Sequence, residues 1–246
     1  MLSEKEINNI YEQYKKDLNF GFLTSRLVIS QLECSDDSAQ IGSVNLETAE
    51  LLLGEIFYNN GVSNKYLHQM LYHEFTHITD RLSFFTNIDD ERKRRNLLFP
   101  YTEFHATRIE LCKKLELFYN PQKKIGNTTR IYDIYGLTTL KNFLDDCNKE
   151  LQLRVDILEN NLDFKNVQFL VYTMIYNLGY HSICEKFNIQ NNLFDTSLYT
   201  YIATEMNELK ELLMNTKPSD ELCKTTNEIV NDITFKICKK YNIDIK

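Results

Sequence analysis

Apolar residues recur at intervals of three and four along most of this chain, the spacing that gathers them on one face of a helix. The pattern predicts an N-terminal helix over residues 3–18, with Ser3 as its cap. It also predicts a long helix over 63–82 and another over 102–117, whose start is marked by Pro100. These three helices form the frame of the first half of the chain.

The residues between the first two helices follow a different pattern, rich in branched and aromatic side chains, that is typical of strands. Three short strands are predicted over 22–33, 40–45 and 54–58. The intervening stretch 46–53 fits a helical turn equally well. We therefore expect a small sheet before the long helix.

The second half begins with a segment over 119–136 that contains Pro, Gly and Asn and is predicted to connect two lobes. Beyond it the helical spacing returns, and four helices are predicted. Their apolar stripes begin at Leu140, Phe164, Leu198 and Leu222. The predicted fold class is α+β: an N-terminal lobe of residues 1–120 with a small sheet, then an all-helical lobe of residues 121–246 that packs on it.

The composition excludes several common classes of function. The seven glycines are never closer than seven positions apart, so neither a glycine-rich phosphate loop nor a GxSxG esterase turn exists. The formal net charge of -7 argues against nucleic acid as the main partner. With 43% hydrophobic and 26% charged residues, the chain has the composition of an ordinary globular protein.

Cysteine spacing and the lengths of the apolar runs bear on the compartment. The six cysteines include no CxxC pair and are spread too widely for the disulfide framework of a small secreted domain. Charges interrupt the N-terminal region where a signal peptide needs an apolar core, and the apolar runs are shorter than the roughly 20 residues of a membrane helix. We therefore expect a cytoplasmic protein with reduced thiols and no membrane partner.

The sharpest chemical signal is the sequence His73-Glu74-Phe75-Thr76-His77 in the long predicted helix. The two histidines lie about 40° apart on one helical face, so both imidazoles can reach one cation. The carboxylate of Glu74 lies beside them, where it can take a proton from a water molecule instead of binding the metal. The motif predicts a Zn²⁺ site with His73 and His77 as ligands and Glu74 as the catalytic base.

Zinc held by two histidines needs a third protein ligand. Asp80 and Ser83 exclude the metzincin pattern, but the next predicted helix offers Glu103, His105 and Glu110. His105 lies about 200° from Glu103 around that helix, and Glu110 lies about 10.5 Å further along its axis. Glu103 is therefore the favoured ligand, with the other two as alternatives, and Glu110 suits a hydrogen-bonding partner of an imidazole better than a ligand.

Together these residues resemble the gluzincin zinc peptidases. The histidine motif is followed on the next helix by Glu103 and, one turn later, by the small Ala106. More narrowly, the pattern is similar to that of the short bacterial and prophage anti-repressor metallopeptidases, whose third ligand lies in a Glu-x-x-Ala helix. The resemblance covers about residues 41–118 and implies zinc bound by His73, His77 and Glu103.

The resemblance also implies a mode of substrate binding. In that family the strand upstream of the motif pairs with extended peptide, a role that the strand over 54–58 would take here. The larger gluzincins carry an aspartate where this chain has Thr107, so the groups that orient the zinc ligands are left unassigned.

Three further features have more than one interpretation. Asp80 can accept a hydrogen bond from His77 or belong to a surface ion pair. Tyr180 or His181 is a possible donor to the oxyanion of the reaction. The run of four cations at 92–95 is either a solvated face or a docking patch for an acidic partner.

The predicted function is that of a zinc-dependent metallopeptidase, a hydrolase that cleaves an extended protein or peptide held between the two lobes. One alternative is a regulatory module that keeps the zinc and binds a partner with little turnover. Another is a zinc hydrolase of a small non-peptide substrate. An open groove beside a strand edge favours the peptidase, whereas a closed polar pocket favours the small-molecule enzyme.

Overall fold

The structure, a computed structural model, describes residues 2–21, 26–32, 39–58, 61–190 and 196–244. Helix α1 (Glu4–Asp17) begins where the sequence predicts. The Ser3 side chain accepts from the backbone N–H of Glu6, and the Glu6 carboxylate accepts from the backbone N–H of Ser3. This reciprocal pair satisfies two helix-end donors, which is why the helix starts there.

A three-stranded mixed sheet follows α1, with the strands β1 (Arg26–Gln31), β2 (Ala39–Val44) and β3 (Thr48–Leu53). The order is β1–β3–β2, with β1 parallel and β2 antiparallel to β3. The strand predicted over 22–33 corresponds to β1, and its residues 22–25 and 33 lie outside the described residues. Strand β2 is thus an edge strand of this sheet.

The predicted strand over 54–58 is wrong, because Glu55–Tyr58 forms a 3-10 helix. Ile56 and Phe57 are adjacent and both buried, which a strand with two opposite faces does not favour. The third strand is β3, in the stretch that also fitted a helical turn. Its side chains alternate between partly exposed and buried, as the period of a strand requires.

Two long helices follow the sheet and pack against each other, α2 (Asn64–Ser83) and α3 (Glu91–Lys114). The start predicted for the second at Pro100 is wrong: α3 begins at Glu91, where the Asp90 side chain accepts from the backbone N–H of Lys93. Pro100 lies inside the helix, where it removes one hydrogen bond. The buried Leu98 and Tyr101 on either side anchor the helix by packing.

The C-terminal part is largely helical, as predicted, but contains a small antiparallel hairpin of β4 (Arg130–Asp133) and β5 (Gly136–Thr139). The helices are α4 (Leu140–Asn160), α5 (Phe164–Lys186), α6 (Ser197–Tyr201), α7 (Ala203–Asn215) and α8 (Asp220–Tyr241). The third predicted helix is therefore two, which meet at Ile202. The α+β fold class is confirmed, with the hairpin as an exception to an all-helical second part.

Helix α3 contributes to all three apolar clusters of the described residues. Its Ile109 packs against the cluster formed by α1, the sheet and α2. Its Leu98 and Phe104 belong to a second cluster with α5, α7 and α8, and its Leu111 and Leu115 to a third with α4, α5 and β4. The division of the chain near residue 120 stays a prediction.

Two further observations bear on the compartment. In the part of the chain that the structure describes, no helix is both long and apolar enough to cross a membrane. The five described cysteines are free thiols. Cys34 lies outside the described residues.

Candidate metal centre

Helices α2 and α3 bring three side chains together, His73 and His77 from the first and Glu103 from the second. Their ligand atoms all lie within 4.8 Å of one another. The Nε2 atom of His73 is 3.5 Å from Glu103 Oε2, and the Nε2 atom of His77 is 3.6 Å from Glu103 Oε1. Both histidines are buried and Glu103 is largely so. The cluster is a candidate metal site.

The two separations between Glu103 and the imidazoles are close to those around a tetrahedral cation. Ligand bonds of about 2.0–2.1 Å at tetrahedral angles place neighbouring ligand atoms about 3.3–3.5 Å apart, close to the separations between Glu103 and the two imidazoles. Glu103 Oε2 is buried and has no hydrogen-bond partner. A buried carboxylate oxygen of that kind is costly unless a cation satisfies it, so the cluster fits a metal ion.

The charges around the cluster also fit a cation. Burial opposes the charged form of His73, but the carboxylates of Glu103 and Glu110 outweigh it and raise its pKa. Burial lowers the pKa of His77 to about 4, which keeps this imidazole neutral, the form that binds metal. Burial would raise the pKa of Glu103, but His77 and His73 outweigh it and lower the pKa. The pocket thus favours positive charge between its carboxylate and its histidines.

A chain of hydrogen bonds holds His77 from behind. Its Nδ1 atom is 2.9 Å from the Thr102 hydroxyl, which donates to Asp80 Oδ2 at 2.7 Å. Asp80 therefore contacts His77 indirectly, through the Thr102 hydroxyl, and not by the direct hydrogen bond that the sequence suggested. Asp80 instead contacts the Nδ1 atom of His105 at 3.0 Å, which turns His105 away from the cluster. Such partners fix the ring orientation of a ligand histidine.

A second group of polar side chains supports His73. Its Nδ1 atom is 3.3 Å from Glu110 Oε2, though without hydrogen-bond geometry, so Glu110 lies behind the imidazole as its two-turn spacing suggested. Burial would raise the pKa of Glu110, but Lys114, at 2.8 Å, lowers it to about 2. Lys114 also donates to Gln69 at 3.1 Å. The Glu110 carboxylate is thereby held as an anion behind His73.

The cluster opens into a cleft of ≈ 400 Å³. Glu74, the carboxylate of the motif, lines this cleft. Burial raises the pKa of Glu74 to about 8 when no metal ion is bound. One wall is the edge strand β2, through Ala39, Gln40 and Ile41. The strand beside the cleft is therefore β2 and not the segment 54–58 that the sequence predicted.

The opposite wall carries a residue that the sequence analysis missed. The Tyr176 hydroxyl on α5 lies 3.0 Å from the Nε2 atom of His73, and the two rings stack at 5.3 Å. Tyr172, one turn earlier, lines the same cleft. A signal was present, because both tyrosines share a helical face with Tyr180 at intervals of four.

The two donors considered for the oxyanion lie elsewhere, so that prediction is wrong. Tyr180 donates to Glu110 Oε2 at 3.2 Å, behind His73, and does not line the cleft. His181 lies 3.9 Å from Glu185 on the same helix. Of these three side chains of α5, Tyr176 is the one that contacts His73 and lines the cleft.

Comparisons with known protein families, with curated proteins and with solved structures find no match to this chain. The candidate metal site and its cleft therefore carry the functional argument.

Proposed function

We propose that this protein is a zinc-dependent metallopeptidase of the gluzincin type, similar to the anti-repressor group. The observation that supports this most is the convergence of His73, His77 and Glu103 at separations suited to tetrahedral zinc. When bound, zinc would supply Lewis acidity toward the scissile carbonyl and lower the pKa of the attacking water. With three protein ligands, zinc would keep a fourth position for water or substrate.

The remaining groups have roles that follow from their positions. Glu74 lines the cleft beside the two histidines and would accept the proton of the attacking water, then return it to the leaving amine. The Tyr176 hydroxyl, 3.0 Å from a histidine nitrogen of the cluster, would donate to the carbonyl oxygen as negative charge develops on it. Both side chains are partly buried and line the same cleft.

The cleft also suits an extended peptide. Strand β2 is at the edge of its sheet, and its residues 39–41 form one wall of the cleft. An extended chain can add to such an edge through backbone hydrogen bonds, which need no particular side chain. The alternation of side chains along the added strand would then give selectivity.

The Glu74→Gln variant tests the proposal. Gln keeps the shape of the side chain but cannot accept a proton, so zinc should stay bound while hydrolysis falls by at least ~10²-fold. The measurements are metal analysis of the purified protein and mass-spectrometric detection of cleavage in a random peptide library. Equal cleavage by the wild type and Glu74→Gln, or none by the zinc-loaded wild type, would contradict the peptidase assignment.

A further inference from the structure

Two arginines line the cleft that contains the candidate metal site. Arg81 is on α2, one turn beyond His77, and Arg95 is on α3. Arg95 belongs to the run of cations at 92–95, whose role the sequence left open. The structure turns one member of that run toward the cleft.

The two guanidinium groups differ in what holds them. Arg81 is largely buried, donates to the backbone carbonyl of Gly42 on β2 at 2.9 Å, and lies 3.8 Å from Glu91. Glu91 is also paired with Arg94. Arg95 is exposed, and no described residue forms an ion pair or hydrogen bond with it. One fixed and one unpaired cation therefore face the same space.

The charges near these arginines leave an excess of positive charge. Burial lowers the pKa of the Arg81 guanidinium to about 10, and the nearby charge of Arg95 is the next largest cause. The other carboxylates of the cleft, Glu74 and Glu103, lie at the metal cluster, where a divalent cation would balance them. An anion between the two arginines would relieve their repulsion.

Arg81 also lies one helical turn from the candidate metal site. Four residues of helix separate His77 from Arg81, about 6 Å along the axis of α2. An extended peptide covers that distance in about two residues. A peptide that lies along β2 with its scissile bond at the metal cluster would therefore bring a nearby carboxylate to Arg81 and Arg95.

We propose that Arg81 and Arg95 bind a carboxylate of the peptide, which makes the cleft selective for peptides with a carboxylate near the scissile bond. The carboxylate is an Asp or Glu side chain near the scissile bond or the C-terminus of the peptide. Guanidinium groups suit this role because their paired N–H donors match the two oxygens of a carboxylate. The inference rests on the proposed function, since it names the substrate class of that site.

The test measures binding, separately from turnover. Zinc-loaded Glu74→Gln protein is immobilised and exposed to two random octapeptide libraries, one amidated and one with free C-termini, and the bound peptides are identified by mass spectrometry. We expect either that acidic residues are enriched about three- to tenfold among the peptides bound from the amidated library, or that peptides with free C-termini are retained about three- to tenfold more than amidated ones. The first result assigns a side-chain carboxylate and the second a terminal one.

Two variants made in the Glu74→Gln background show whether Arg95 is responsible for the enrichment. Arg95→Gln should abolish the enrichment, whereas Arg92→Gln, which removes the same charge from the same helix away from the cleft, should leave it unchanged. Failure to enrich any carboxylate, or equal enrichment with Arg95→Gln, would overturn the inference. Cleavage of the same libraries by the wild-type protein is measured separately. Carboxylate binding without cleavage would contradict the proposed peptidase activity but support carboxylate binding by the arginines.

Discussion

At the scale of single residues, two tyrosines one turn apart on α5 have different partners. The Tyr176 hydroxyl faces His73 in the cleft, while the Tyr180 hydroxyl donates to Glu110 behind that histidine. Under the proposed function, the first would touch a substrate and the second would only position a histidine ligand of the metal. This difference allows their contributions to be separated by experiment.

Tyr176→Phe removes one hydroxyl and preserves the ring that stacks on His73. We expect zinc to remain bound and kcat to fall by about 10²-fold with a smaller change in KM, because the lost donor acts on charge that develops in the transition state. Tyr180→Phe is the matched control and should lower kcat by less than about tenfold, since Lys114 still holds Glu110. The reverse ranking of the two variants would contradict the role of Tyr176.

The ligand set is tested on α3. Glu103→Ala should lose stoichiometric zinc, because it removes one of three protein ligands, whereas His105→Ala should retain it, since His105 contacts Asp80 and not the cluster. Metal analysis after dialysis is the measurement. A Glu103→Ala protein with full zinc and a zinc-free His105→Ala protein would overturn the assignment.

At the scale of elements, the cleft depends on how closely α5 approaches α3. Gly179 lies between the two functional turns of α5, and a Cβ atom built on it would be 1.8 Å from Thr107 Oγ1 and 2.8 Å from the Phe104 carbonyl oxygen. No side chain fits in that space. Thr107, where the larger gluzincins carry an aspartate, therefore serves this helix contact.

Gly179→Ala should destabilise the protein by about 1–3 kcal/mol, because the added methyl forces α5 away from α3. An alanine in a helix interior is otherwise favourable by roughly 0.5–1 kcal/mol, so the sign of the change reports the clash. Gly126→Ala is the control, since nothing lies within 4 Å of its added methyl. Urea unfolding measures both variants, and equal stabilities would show that the helices adjust without cost.

At the scale of the whole molecule, α3 ties the cleft to the C-terminal helices. Its Leu98, Tyr101 and Phe104 belong to one apolar cluster with residues of α5, α7 and α8, and its Leu111 and Leu115 to another with residues of α4 and α5. The same helix carries Glu103 next to Phe104 of the first set. Loss of this packing should therefore also disturb the candidate metal site.

A chain that ends at Tyr119 keeps the three candidate zinc ligands but should be unstable and insoluble, because two buried faces of α3 would become exposed. Expression of residues 1–119, with solubility and metal content as readouts, is the experiment. A soluble, folded fragment with the activity of the full chain would show that the C-terminal helices are accessory.

Several features of the fold and site were predictable because they depend on neighbours in sequence. The cap of α1 at Ser3, the shared face of His73 and His77, and the separation of Glu103 from Glu110 all follow from the geometry of one helix. The start of α3 was missed because Pro100 is a strong boundary signal that packing overrides. The strand at 54–58 was missed because a short apolar run does not distinguish strand from helix.

The sequence by itself determined the helical frame, the α+β class and the residue types that converge on the candidate metal site, since each depends on local spacing along the chain. Only the tertiary structure decided which distant groups meet there. Tyr176 reaches His73 across 103 positions, and β2 rather than 54–58 forms the wall of the cleft. The period of a helix specifies which side chains share a face, but the rotation and approach of neighbouring helices depend on how all their apolar faces are buried at once.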